Sequence, residues 1–138
     1  ISDRDDLDLI INMMQEYNNM NTAGVVSFFS DSCYIIDLNG KEHIITHKNF
    51  ETFFNNLDSV TWYPMAIIPL KLTEYKDPSP MTSVIVKSTE ARYKKDGSVW
   101  IKDLLEVFYI EDGKIIEVNQ YGKDRDDMTD DLDFLKGL

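Results

Sequence analysis

"LLEVFYIEDGKIIEVNQY", residues 104–121, carries the clearest structural signal in the chain. Two apolar runs flank Glu-Asp-Gly-Lys. Asp-Gly between such runs marks a two-residue hairpin turn, because both central positions of that turn need positive φ. A period of two puts Leu104, Glu106, Phe108 and Ile110 on one face of the first strand. Leu105, Val107 and Tyr109 fall on the other. Both faces are largely apolar, so this is either a central strand covered on both sides or one whose outer face meets a second copy of the chain. A homodimer through the outer sheet face is the expectation, since one layer of helices covers only one face. Glu106 is the odd residue. A carboxylate beside core positions is costly unless it is paired, solvated in a cavity or at a rim, and burial drives it to hold its proton.

The same reading extends outward. "KKDGS", 94–98, is a second Asp-Gly turn, joining the strands "SVIVKSTEARY" (83–93) and "VWIKDLLEVFYI" (99–110). "VTWYPMAIIPLKL", 60–72, is extended, with Pro64 and Pro69 placing bulges or edges. "TEYKDPSPMT", 73–82, is a loop. The N-terminal third reads differently. Leu7, Ile10, Ile11, Met14 and Tyr17 share a helical face behind a Ser2–Asp5 capping box. Thr22 caps a second short helix with Val25, Val26 and Phe29. "CYIID", 33–37, is a short buried strand followed by a polar loop. Thr46 opens a third helix with Phe50, Phe53, Phe54 and Leu57 on one face. The acidic tail, 123–138, ends in a short helix near Gly137. Three helices followed by three or four long antiparallel strands define an α+β fold, with helices on one face of the sheet and one domain over 1–138.

Composition narrows function. The chain has 138 residues and a net charge of −11, with 25 acidic residues against 14 basic. That balance argues against nucleic-acid backbones and anionic membrane surfaces, which recruit lysine and arginine. No apolar run approaches the roughly 20 residues that span a bilayer. The single cysteine, Cys33, excludes an internal disulfide and sits in an apolar run, as a buried inert thiol does. The cytoplasm is the favoured compartment, with a removed leader left open. No Cys/His cluster suggests zinc, and no glycine-rich phosphate loop appears. "DRDDMTDD" fails the calcium-loop pattern, lacking glycine at its sixth position and an acid at its twelfth. Neither cofactor nor metal is expected.

Two carboxylates carry the candidate chemistry, Asp37 and Glu106. Asp37 ends an apolar strand, so it either ties the loop "LNGKEH" through backbone amides or waits in a pocket as a general base. Glu106 is either a proton donor or pocket anchor, or the partner of a lysine such as Lys102 or Lys87. Tyr17, His43, Trp62, Phe108 and Tyr121 are the candidate ligand-binding residues. His47, at a helix start, reads as solvated.

"AGVVSFFSDSCYIID" (23–37), "THKNFETFF" (46–54) and "VFYIEDGKIIEVNQY" (107–121), in that order, resemble the nuclear transport factor 2-like superfamily. This is the cone fold of ketosteroid isomerases and SnoaL-type polyketide cyclases, and the likeness spans about Leu7 to Tyr121. It implies a cystatin-like architecture, with three N-terminal helices packed in the concave face of a curved antiparallel sheet around an apolar cavity. It also implies a hydrophobic small-molecule partner and isomerase, cyclase or dehydratase chemistry on a carboxylate base. The alternative within the same fold is a non-catalytic dimerisation or protein-binding module. Asp37 matches the isomerases' base position, eight residues after Phe29, and Glu106 falls near their second acid. The chain departs from them at the first-helix tyrosine, where Met13 stands and Tyr17 lies one turn later. It also lacks their proline after the base.

Overall fold

The hairpin over 104–121 forms as read. In the computed structural model, which describes residues 3–71 and 82–124, Asp112 (φ 52°) and Gly113 (φ 74°) make the turn. Positive φ at both central positions matches the right-handed twist of the flanking strands, and Gly113 carries it without a Cβ penalty. The elements run α1 (Asp3–Asn18), α2 (Thr22–Val26), β1 (Phe29–Ile36), β2 (Glu42–Ile44), α3 (His47–Asn55), β3 (Leu57–Lys71), β4 (Thr82–Lys94), β5 (Val99–Glu111) and β6 (Lys114–Asp124). The fold is α+β, and its strands form one curved, open six-stranded sheet in the order β2-β1-β6-β5-β4-β3.

The sheet is larger and less uniform than the sequence reading. β1 pairs in parallel with β6, and every other pairing is antiparallel. The stretch read as a polar loop after Asp37 contains β2, which pairs Ile44 with Tyr34 and Glu42 with Ile36. Its three residues are all exposed, so no apolar alternation announces it. Phe29 opens β1 and is not part of the second helix, which is capped by the Asn21 side chain accepting from the Gly24 amide. In α1 the buried stripe is Ile10, Met13, Met14 and Tyr17, with Ile11 40% exposed. The expected Ser2 cap, the loop over 73–81 and the tail helix lie outside the described residues.

Helix α1 packs on β3 and β4 and is tied to the sheet edge. β3 is the last strand, so its outer backbone groups lack a ladder partner. The Asn18 amide supplies one: its Oδ1 accepts from the Trp62 amide at 2.6 Å and its Nδ2 donates to the Trp62 carbonyl at 3.1 Å. Aromatic contacts join the helices to the sheet: Tyr17 meets Trp62 edge-on with centroids 5.0 Å apart and Phe54 at 5.3 Å. Phe29 of β1 lies 5.9 Å from Phe50 of α3. Thr46 caps α3 as expected, accepting from the Asn49 amide. Cys33 is fully buried, and burial, with the Glu117 carboxylate behind it, pushes its thiol up to about 12, so it is inert.

Candidate functional site

Strand alternation builds the site. Val84, Val86, Ser88, Glu90 and Arg92 share one face of β4. The register sets Val86 opposite Glu106 of β5, and Glu106 opposite Gln120 of β6. This face is apolar at one end, at Val84, Phe108 and Val118, and becomes polar at Glu90, Arg92, Glu106 and Gln120. Above it lies a cavity of about 600 Å³, within the ordinary range for small-molecule sites. Met13 and Tyr17 of α1 and Phe50 and Phe53 of α3 also line it. Asp37, His43 and Lys48 stand at its exposed rim.

The polar end is a buried network with one gap. The Tyr17 hydroxyl donates to Glu90 Oε2 at 2.8 Å, and Arg92 Nε donates to the same oxygen at 2.5 Å. The Arg92 guanidinium lies over the Trp100 ring, 3.7 Å from its centroid, and 4.8 Å from that of Phe53. Trp62 Nε1 donates to Ser88 Oγ at 2.9 Å, so the indole is satisfied within the protein. Glu106 Oε2 accepts from Gln120 Nε2 at 2.9 Å. Glu106 Oε1 is buried with no hydrogen-bond partner among the described residues. Native interiors seldom leave such an atom unpaired.

Electrostatics separate the two candidate acids. Burial, reinforced by the Glu90 carboxylate, pushes the Glu106 carboxyl up to about 8, against the pull of Gln120 and Arg92. Glu106 is therefore protonated near neutral pH and can donate from the oxygen that has no partner. Burial also raises the Tyr17 hydroxyl, with the Glu90 carboxylate adding to it. Burial is the largest influence and works against the Arg92 charge, but Glu90, Tyr17 and Glu106 together outweigh it, and Arg92 stays protonated. Asp37 behaves oppositely. His43 Nε2 lies 2.7 Å from its Oδ2, and the Lys41 and Asn39 amides donate to its Oδ1. The His43 bond first, then the Lys41 amide, lowers the Asp37 carboxyl below the usual range. Burial that would raise the carboxyl toward a working base is absent at Asp37. Its bonds are those of the loop-tying reading, although its side chain also reaches the cavity rim.

The structure brings six of the seven candidate residues to one cavity: Asp37, Glu106, Tyr17, His43, Trp62 and Phe108. Tyr121 is not among them. It pairs with Leu105 on the opposite face of the sheet and is 58% exposed. Glu106 meets Gln120 and not Lys102 or Lys87. Sequence reasoning missed Glu90, Arg92 and Gln120. The signal was present for the first two: a Glu-x-Arg pair continuing the core-facing series Val84, Val86, Ser88.

No family model matches the chain, and no curated protein matches it in sequence. Solved structures do match in shape. An epoxide hydrolase of the LEH-like type from M. tuberculosis aligns over 87% of this chain and 84% of its own, with a TM-score of 0.69 at 12% identity. A cystatin-like fold protein from Caulobacter vibrioides aligns over 91% and 92%, at 0.65 and 12%. A protein with a ketosteroid isomerase-like fold from Catenulispora acidiphila aligns over 82% and 83%, at 0.63 and 8%. The chain has the nuclear transport factor 2-like fold.

Proposed function

We propose that the protein binds a hydrophobic small molecule in this cavity and moves a proton on it, with Glu106 as the acid. The carrying observation is Glu106 Oε1, buried without a partner on the wall of an aromatic-lined cavity of about 600 Å³. Buried carboxyl oxygens are seldom left unpaired, and on a cavity wall the proton of this one is available to a ligand oxygen. Isomerase, cyclase and dehydratase chemistry all need such a group. The base is the rim pair. Asp37, fixed by two amides, holds His43 through Nε2, which leaves Nδ1 for a ligand proton. In this reading Asp37 positions the base and is not the base itself. The helices sit in the concave side of the sheet and close the cavity, as the cone architecture implies.

The outer face supports a homodimer. Tyr63, Ile68, Val99, Ile101, Leu105 and Tyr121 are exposed there, an apolar surface of the kind that pairs with another. The same surface serves the alternative, a dimerisation module without chemistry, but that alternative gives no reason for the unpaired Glu106 oxygen.

The test is deuterium exchange into 2-tetralone, a ring ketone of suitable size, followed by NMR. Exchange next to the carbonyl should run above background with the protein and fall at least tenfold in Glu106→Gln. Background exchange with the intact protein, or full exchange in the variant, would overturn the assignment.

A further inference from the structure

The Glu90–Arg92 pair is more elaborate than a core ion pair needs to be. Arg92 uses only Nε on Glu90, and its terminal nitrogens make no hydrogen bond to protein among the described residues. Its guanidinium is nonetheless held on three sides: by Glu90, by the Trp100 ring and by the Phe53 ring. Glu90 is fixed in turn by the Tyr17 hydroxyl. The result is a planar fork of donors steadied by one hydrogen bond and two rings, on the wall of the cavity that also holds the unpaired oxygen of Glu106. Such preorganised donors are what a site uses to fix an oxygen.

Resting on the small-molecule reading above, we propose that Arg92 is the anchor for a ligand oxygen, and that the ligand is an uncharged ring compound bearing a ketone or phenol oxygen at its inner end. Two observations favour a neutral ligand over an anion. Glu90 already balances the Arg92 charge, so a carboxylate added at Arg92 would sit beside Glu90, with the other cavity cation, Lys48, out at the rim. The chain's net charge of −11 also repels anions on approach. Met13, Phe29, Phe50, Trp62, Phe108 and Val118 give the wall a broad apolar and aromatic part, which suits the ring. Glu90 and Tyr17 act through Arg92 and are positioning residues.

Both tryptophans of the chain report on this region: Trp62 lines the cavity and Trp100 lies against Arg92. Fluorescence titration with 2-tetralone and with tetralin, its hydrocarbon counterpart, isolates the contribution of the oxygen. The intact protein should bind the ketone about tenfold more tightly than the hydrocarbon, as a hydrogen bond from a charged donor gives. It should bind 2-naphthoate less tightly than the ketone. Arg92→Met should cut the ketone-to-hydrocarbon ratio at least threefold, to what the Glu106 donor alone contributes, while leaving tetralin affinity within about twofold. Because Arg92→Met strands Glu90, the double variant Arg92→Met/Glu90→Gln is measured with it, and circular dichroism checks each fold. Arg92→Lys keeps the charge without the fork, and its ratio should also drop below half that of the intact protein; it decides the matter if neither methionine variant folds. A ratio unchanged in the folded variants, no preference for the ketone, or tighter binding of naphthoate would overturn the anchor while leaving the cavity reading intact. Failure of all three compounds to bind would overturn both.

Discussion

Replacing Glu106 with Gln should stabilise the protein at high pH and do little at low pH. Below about pH 4.5 both folded and unfolded chains hold the Glu106 proton, and the side chain carries no ionisation penalty. Between its ordinary value of 4.5 and the folded value of about 8, the unfolded chain releases the proton while the folded chain keeps it. The folded state then binds more protons, so stability falls as pH rises, by about 1.4 kcal/mol per pH unit. Above about 8 the loss is complete, on the order of 4–5 kcal/mol over that span. Glutamine fills the same volume, can still accept from Gln120 Nε2, and does not titrate. Urea denaturation, followed by tryptophan fluorescence at pH 5.5, 7, 8.5 and 9.5, gives the stability of each form. The advantage of Glu106→Gln should climb across the first three values and level off at the last. Subtracting the two curves cancels the carboxylates that do not interact with Glu106. A difference that stays flat to within about 0.5 kcal/mol, at constant m-value, would show that Glu106 ionises freely and that its burial is not as described.

Asp37→Asn should speed amide exchange at Asn39 and Lys41, whose N–H groups donate to the carboxylate. In the parent chain the Asp37 carboxyl lies below its usual value, so its contribution is present above the unfolded pKa and is lost as pH falls through the folded one. Hydrogen exchange measured down the pH scale should show the loop loosening in acid; equal protection in parent and variant would contradict the bonds described. Gly122→Ala should cost about 1–3 kcal/mol, because a Cβ there would meet the Asp103 carbonyl at 2.9 Å and Leu104 Cδ2 at 2.8 Å, and backbone gives way poorly. Thermal melts read that cost, and an unchanged melting temperature would refute the close approach. Leu105→Glu with Tyr121→Glu should leave the chain monomeric in sedimentation velocity at concentrations where the parent is dimeric, with its circular dichroism unchanged; a parent that is already monomeric rules out the outer-face dimer.

Strand-length apolar runs, punctuated by two Asp-Gly turns, exposed the β4–β5–β6 meander. The phenylalanine spacing behind Thr46 did the same for α3. Other features had no local signal to find. β2 is three exposed residues, and the pairing of β1 with β6 joins segments about 80 positions apart, which no window detects. Glu106 announced itself by standing between Leu104 and Phe108. Glu90 and Arg92 stood in an equally core-facing series, but opposite charges two apart are common on strand surfaces and carry no sign of burial. Asp37 was ambiguous for a different reason: a loop-tying aspartate and a pocket base have the same neighbours in sequence, and only the placement of the Lys41 and Asn39 amides tells them apart.

The parallel seam between β1 and β6 bears on how the protein comes into being. β1 is made early in synthesis, yet Tyr34, Ile35 and Ile36 find their ladder partners only at Glu117, Val118 and Asn119. A nascent chain emerging from the ribosome must carry β1, with Cys33 and Phe29, unpaired on that side until β6 has cleared the exit tunnel. Long-range closure of this kind is slow relative to hairpin formation. The cavity is therefore incomplete in a chain that stops short of β6: its last wall, Val118 and Gln120, arrives with the strand that completes the sheet.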